Sequence, residues 1–176
     1  MTDPRNGRFV TDIEASLKAF ISDARRIAIL GIGNELRTDD GIGPFIIDGL
    51  DVESPNLLVE NVGSVPEAFA RPLAKFKAEK IIMIDAADMR KPPGHIELVT
   101  KDRIGGIAIS THSMPLSFLM MYLEQETGAQ TILLGVQPQD IQFGEGLTPE
   151  IGKVAQKIIS TLNILLSDHV RGLKDV

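Results

Sequence analysis

The sequence predicts an α/β fold: one three-layer α/β/α domain with a twisted, mostly parallel sheet of about five strands flanked by helices. Three observations carry this. Short, nearly all-apolar runs at Ile27 to Leu30, Ile81 to Ile84 and Thr131 to Leu134 read as strands buried on both faces. They alternate with segments whose apolar residues recur at helical spacing. No repeat, low-complexity stretch or shift in composition marks an internal boundary across the 176 residues, a length that suits one domain with a substantial core.

Taken in order, Thr11-Asp12-Ile13-Glu14 reads as a capping box with Val10 as its hydrophobic staple. Ile13, Leu17, Phe20 and Ile21 then share one face, predicting an amphipathic helix over 11 to 24. Residues 1–24 are therefore read as an N-terminal extension, 25–168 as the α/β domain and 169–176 as a polar tail. The first strand ends in a turn at Gly31-Ile32-Gly33-Asn34, and Phe45, Ile46, Ile47 and Leu50 predict a short helix from Pro44 closing near Gly49. Asn56 to Glu60 form a second strand, preceded by Pro55 and followed by Gly63-Ser64.

Phe69, Leu73 and Phe76 place a helix between Pro66 and Lys80, and the strand after it stops at Asp85. Pro92-Pro93-Gly94 is a turn, after which His95 to Val99 alternates as a more exposed strand would. Gly105-Gly106 leads to Ser110-Thr111-His112, and Pro115 opens an apolar helix, Leu116 to Glu126, closed by Gly128. After the strand at 131–134, Thr148 as N-cap and Pro149 at the first helical position start a last helix. Its inner face carries Ile151, Val154, Ile158, Leu162 and Leu165.

Composition narrows the function. A net charge of −6 argues against a nucleic-acid partner, which needs a basic footprint. With no cysteine, disulfides, thiolate catalysis and thiolate metal sites are excluded. No signal peptide or membrane-length apolar stretch is evident, so the expectation is a cytoplasmic protein without membrane insertion.

The chemistry concentrates where elements end on polar residues: Asp39-Asp40 after the first strand, Asp85 after the third, and His112 ahead of the helix at Pro115. In open α/β sheets the strand ends converge on one crevice. Two carboxylates and an imidazole meeting there make an N/O site for a borderline divalent ion such as nickel, zinc or iron. Each residue also has a plainer reading: Asp39 or Asp40 as a helix N-cap, Asp85 as a strand terminator, His112 as a cap or surface group. His95 and His169 read as solvated, and Asp88 as a turn residue. Gly31-Ile32-Gly33 is a poor dinucleotide fingerprint, because Leu36 stands where the third glycine belongs and the acidic residues that follow repel a pyrophosphate. No nucleotide is expected. Nor does any Gly-x-Ser-x-Gly elbow support a serine hydrolase.

The stretch GIGNELRTDDGIGP closely resembles the first motif of the hydrogenase maturation endopeptidases, which trim the C-terminus of the large subunit of nickel–iron hydrogenases. The resemblance continues through IIMIDAADM, PPGHIEL, STHSMPLSFLM and LLGVQPQDIQFGEGLTPEI, in order, from Ile27 to Leu166. It implies that Asp40, Asp85 and His112 meet a nickel supplied by the substrate, with Asp40 and Asp85 as catalytic carboxylates of an aspartic or metal-assisted peptidase. Asp85-Ala86-Ala87-Asp88-Met89 and Met114-Pro115-Leu116 are similar to the branch serving group 4, formate-hydrogenlyase-like hydrogenases.

Two departures stand out. Where relatives carry an Asp-Gly-Gly-Thr/Ser type motif implicated in partner choice, this chain has Asn61-Val62-Gly63-Ser64, which leaves Gly63 and Ser64 as substrate-binding candidates. The first helix also precedes the point where many relatives begin. The resemblance thus implies an endopeptidase acting on a nickel-loaded hydrogenase large-subunit precursor. The rivals are a non-catalytic nickel-binding assembly chaperone using the same ligands, and a small-molecule hydrolase or transferase with a metal-independent pocket. Asp39 is expected to serve the turn and helix start, and Asp40 to face the metal.

Overall fold

In the computed structural model, which describes residues 4–103 and 115–174, five strands stand in the order β2-β1-β3-β5-β4. They are β1 (Ile27–Ile32), β2 (Leu57–Gly63), β3 (Lys80–Ala86), β4 (Ile96–Val99) and β5 (Gln130–Val136). β1, β2, β3 and β5 run parallel, and β4 pairs antiparallel with β5 at one edge. The helices are α1 (Pro4–Ile21), α2 (Ile42–Asp48), α3 (Ala70–Phe76), α4 (Leu116–Thr127) and α5 (Pro149–Lys174). Short 3₁₀ helices at Thr38–Gly41 and Pro66–Phe69 lead into α2 and α3.

The sheet is covered on both faces because its central strands β1, β3 and β5 each carry an unbroken apolar run, and alternate side chains point to opposite sides. Ile27, Ile29, Ile82, Ile84, Leu134 and Val136 point toward α1, α2 and α5. Ala28, Leu30, Ile81, Met83 and Leu133 point toward α3 and α4. Fully burying one such aliphatic side chain stabilises the fold by about 1.5–3 kcal/mol. The expected three-layer architecture holds. No described helix is long and apolar enough to cross a membrane.

Several boundaries differ from expectation. α1 starts at Pro4, ahead of the predicted capping box. Proline at the first helical position is favourable, and Thr11 to Glu14 lie inside the helix. Asp85 belongs to β3 instead of following it. The expected polar tail is the last part of α5, which runs to Lys174 with Val170 buried. His169 is consequently no solvated tail residue: its Nε2 lies 2.9 Å from the Ala24 carbonyl, joining the end of α5 to the turn after α1. His95 is half-buried, with Nε2 3.5 Å from a Glu97 carboxylate oxygen.

Candidate functional site

The carboxyl ends of β1 and β3 lie side by side, with Gly31 opposite Ile84 in register. α2 is pressed onto this junction. A Cβ on Gly43 would come within 2.2 Å of the Ile32 carbonyl oxygen and 2.6 Å of that of Ile84. One on Gly31 would lie 2.5 Å from the Gly43 carbonyl oxygen. These glycines let a helix start lie directly on two strand ends, a packing reason that accounts for the Gly-rich stretch without a phosphate. Gly33 meets a second demand. Its φ is +144°, and a Cβ there would fall 1.8 Å from the Asp40 carbonyl oxygen.

This packing brings the segment carrying Asp40 to the carboxyl end of β3, where Asp85 is the last residue but one, and the Thr38–Gly41 helix touches β3. Asp39, Asp40 and Asp85 are all buried. A buried carboxylate is costly unless donors surround it, and the two adjacent aspartates meet that demand differently. Neither caps its own helix: no side-chain cap is made at the start of the 3₁₀ helix or of α2.

Asp39 instead reaches across about a hundred residues of sequence. Its Oδ2 accepts the N–H groups of Gln139 (2.9 Å) and Asp140 (3.0 Å) and the Thr148 hydroxyl (3.0 Å). Its Oδ1 accepts the Thr148 N–H at 2.7 Å. Asp39 is thus structural, but it serves the loop after β5 and the start of α5 rather than its own turn. Thr148, expected as the cap of α5, directs its hydroxyl to Asp39. Asp40 points elsewhere, and its Oδ2 accepts the Asn34 N–H at 3.0 Å.

The two loops are joined further by Thr38, whose N–H donates to the Gly144 carbonyl (2.9 Å) and whose hydroxyl donates to that of Asp140 (2.6 Å). Thr38 holds φ 43°. For a β-branched residue this is a strained backbone, worth about 1–3 kcal/mol and held only where surrounding structure over-determines it. A second clamp escaped the sequence reading. Gln137, buried at the end of β5, accepts the Met89 N–H (2.7 Å) and the Lys91 N–H (3.2 Å) on Oε1, and its Nε2 donates to Asp88 Oδ1 (3.3 Å). It ties the segment just after Asp85 to β5. Glutamine after a Gly-Val pair carries no local signal for this role. Asp88, expected as a turn residue, does accept the Arg90 N–H at 3.1 Å.

Gly63, at the end of β2 with φ 54°, accepts the Gly33 N–H at 3.0 Å and donates its own N–H to Asn61 Oδ1 at 3.1 Å. Gly63 and exposed Ser64 therefore sit at the same sheet edge as the carboxylates. His112 lies outside the described residues, as do Met114 and the Ser110-Thr111 pair. Among the described residues no group of three or more His, Asp or Glu is placed to hold a metal ion. The described part of the candidate site is thus Asp40 and Asp85.

Comparison with known proteins bears on what this edge does. Residues 50–164, which include Asp85 and His112 but begin after Asp40, match the family described as HycI, hydrogenase maturation protease. The chain is 29% identical over 136 residues to the hydrogenase 3 maturation protease of Escherichia coli, covering 76% of this chain and 86% of that protein. It is 32% identical over 151 residues to a Methanocaldococcus jannaschii protein provisionally named a hydrogenase maturation protease, covering 81% and 89% of the two. Among solved structures, it superposes on the [NiFe] hydrogenase maturation protease HycI of Thermococcus kodakarensis with a TM-score of 0.79 at 29% identity, covering 86% of this chain and 99% of that one. Sequence and fold agree, and the chain belongs to the hydrogenase maturation protease family.

Proposed function

We propose that this protein is the endopeptidase that removes the C-terminal extension from the nickel-loaded large-subunit precursor of a nickel–iron hydrogenase. The observation that carries the reading is the pair of buried carboxylates, Asp40 on the 3₁₀ helix that touches β3 and Asp85 near the carboxyl end of β3. Asp39 is committed to scaffolding by four hydrogen bonds, which leaves Asp40 as the member of the doublet assigned to chemistry.

In this reading Asp40, Asp85 and His112 meet the nickel that the precursor carries. An oxygen-rich set without thiolate suits a metal that is checked and released rather than kept. The nickel, as part of the substrate, supplies Lewis acidity beside the scissile bond. Asp40 or Asp85 accepts the proton of the water that attacks the scissile carbonyl, and the proton then passes to the leaving amine as the C–N bond breaks. Gly63 and Ser64 line the approach of the substrate chain on the β2 side.

The test is mass spectrometry of a candidate precursor, with and without nickel, after incubation with this protein. Release of a C-terminal peptide from the nickel-loaded form alone is the expected result. An unchanged precursor mass, together with stable nickel binding by the isolated protein, would overturn the protease reading in favour of a carrier.

A further inference from the structure

The two loops held together by Thr38 and Asp39 enclose an open groove of about 380 Å³ lined by Glu35, Leu36, Phe45, Glu145 and Leu147. That size falls within the roughly 300–1,000 Å³ typical of ligand clefts. Thr38 and Gly41, which bracket Asp40 in the sequence, line it as well, so it runs along the helix that carries Asp40. Two large apolar side chains of its lining are exposed, Leu36 at 51% and Phe45 at 39%, and Phe143, close by in the chain to Glu145, is 84% exposed. The Gly144 N–H donates to the Leu36 carbonyl at 2.9 Å, which sets the residue after Phe143 against Leu36. Exposed Leu36 and Phe45 lining one groove, beside a chain segment that also exposes Phe143, mark a contact surface.

The charge lining this groove is of one sign. Glu35 and Glu145 both line it, both are exposed, and neither makes an ion pair among the described residues. The neighbouring cation, Arg37, donates its Nε to the Ile141 carbonyl at 3.2 Å and does not line the groove. A groove lined by apolar side chains and two carboxylates suits a peptide that carries both apolar side chains and a guanidinium or ammonium group.

We propose that this groove seats an extended segment of the substrate polypeptide, one bearing apolar residues and at least one arginine or lysine, and leads it toward Asp40. The proposal rests on the endopeptidase reading and assigns that reading a substrate-docking surface. Glu35 and Glu145 select the cationic side chain, while Leu36, Phe45 and Leu147 cover its apolar neighbours.

The full chain, labelled with ¹⁵N, is titrated with an end-blocked octapeptide of leucines, valines and two arginines, and with its counterpart carrying glutamates in place of the arginines. Amide shifts should concentrate at residues 35–45 and 143–147 with the arginine peptide, weaken as salt rises, and be absent with the glutamate peptide. The double variant Glu35→Lys/Glu145→Lys alters exposed positions only, so its thermal midpoint should stay unchanged while affinity for the arginine peptide falls about tenfold or more. Equal shifts with both peptides, shifts outside the groove, or unchanged affinity in the double variant would overturn the proposal. On a precursor that the protein cleaves, KM should rise by a similar factor in the double variant, and an unchanged KM strikes the groove alone. Groove-centred peptide binding by a protein that leaves every nickel-loaded precursor intact strikes the endopeptidase reading instead.

Discussion

Replacing Asp39 by asparagine isolates the scaffolding role of the doublet. The carboxylate accepts four hydrogen bonds, three on Oδ2 and one on Oδ1. An asparagine side chain keeps one acceptor oxygen. Its best orientation places that oxygen where Oδ2 stands and turns the amide NH2 against the Thr148 N–H, donor facing donor. Leaving a buried donor unsatisfied costs about 1–3 kcal/mol. The three retained bonds also lose their charge, and a bond to a charged group contributes roughly 1 kcal/mol more than a neutral one. Allowing for relaxation of two surface loops, the expected loss is about 3–5 kcal/mol. For a domain of this size about 2–4 °C accompanies each kcal/mol, so the thermal midpoint should fall by roughly 6–20 °C. Urea unfolding followed by circular dichroism, with m unchanged, measures it. The control is Asp40→Asn, whose amide oxygen can still accept the Asn34 N–H and which should cost under about 2 kcal/mol. A loss below about 1 kcal/mol for Asp39→Asn, or one no larger than that of Asp40→Asn, would refute the division of roles.

The remaining expectations concern chemistry, packing and pH. Asp40→Asn and Asp85→Asn should each lower precursor processing by about 10²-fold or more while the far-ultraviolet spectrum stays native, and His112→Ala should do the same; normal processing by any of the three removes that residue from the mechanism. Gly33→Ala places a Cβ 1.8 Å from the Asp40 carbonyl oxygen at φ +144° and should destabilise by about 4 kcal/mol or more, read as loss of soluble protein or of the cooperative melt. Burial alone would raise the Glu124 carboxyl, but Lys101 and the Thr131 N–H and hydroxyl together hold it below its usual 4.5. A depressed folded pKa contributes stability above the unfolded value that is lost as pH falls through the folded one. The midpoint should therefore decline as pH drops below about 4.5, and less steeply in Glu124→Gln; equal acid limbs for the two proteins would show that this cluster contributes nothing.

What was legible in the sequence followed from local pattern. The central strands could be read because a parallel sheet covered on both faces needs apolar residues at every position, and β3 supplies Ile81 to Ile84 without interruption. β4 was legible as a more exposed strand by its alternation, and α5 by Thr148-Pro149 and its long apolar stripe. Helix ends were harder. The Thr11 capping signal lies inside a helix that begins at Pro4, and the tail expected from residue 169 continues α5 because Val170 still finds the core.

At the candidate site, the sequence singled out the doublet but not the partners of Asp39. Gln139, Asp140 and Thr148 lie 100 to 109 residues away, where no periodicity reaches. The same holds for Gln137, which fastens residues almost fifty positions upstream. The glycines were noticed as a turn, whereas their stronger reason is the contact of α2 with two strand ends.

The seat of Asp39 also orders events in time. Its partners are on the far side of a loop of about a hundred residues, and closing such a loop costs roughly 2 kcal/mol more than closing one of ten. Contacts of this span form late when a chain folds. During synthesis the ribosome delivers Asp40 long before Thr148, so a nascent chain carries the acidic doublet without the loop that holds it in place. The seat of Asp39, and with it the anchorage of the helix that also carries Asp40, is completed only when the Thr148 end of α5 docks.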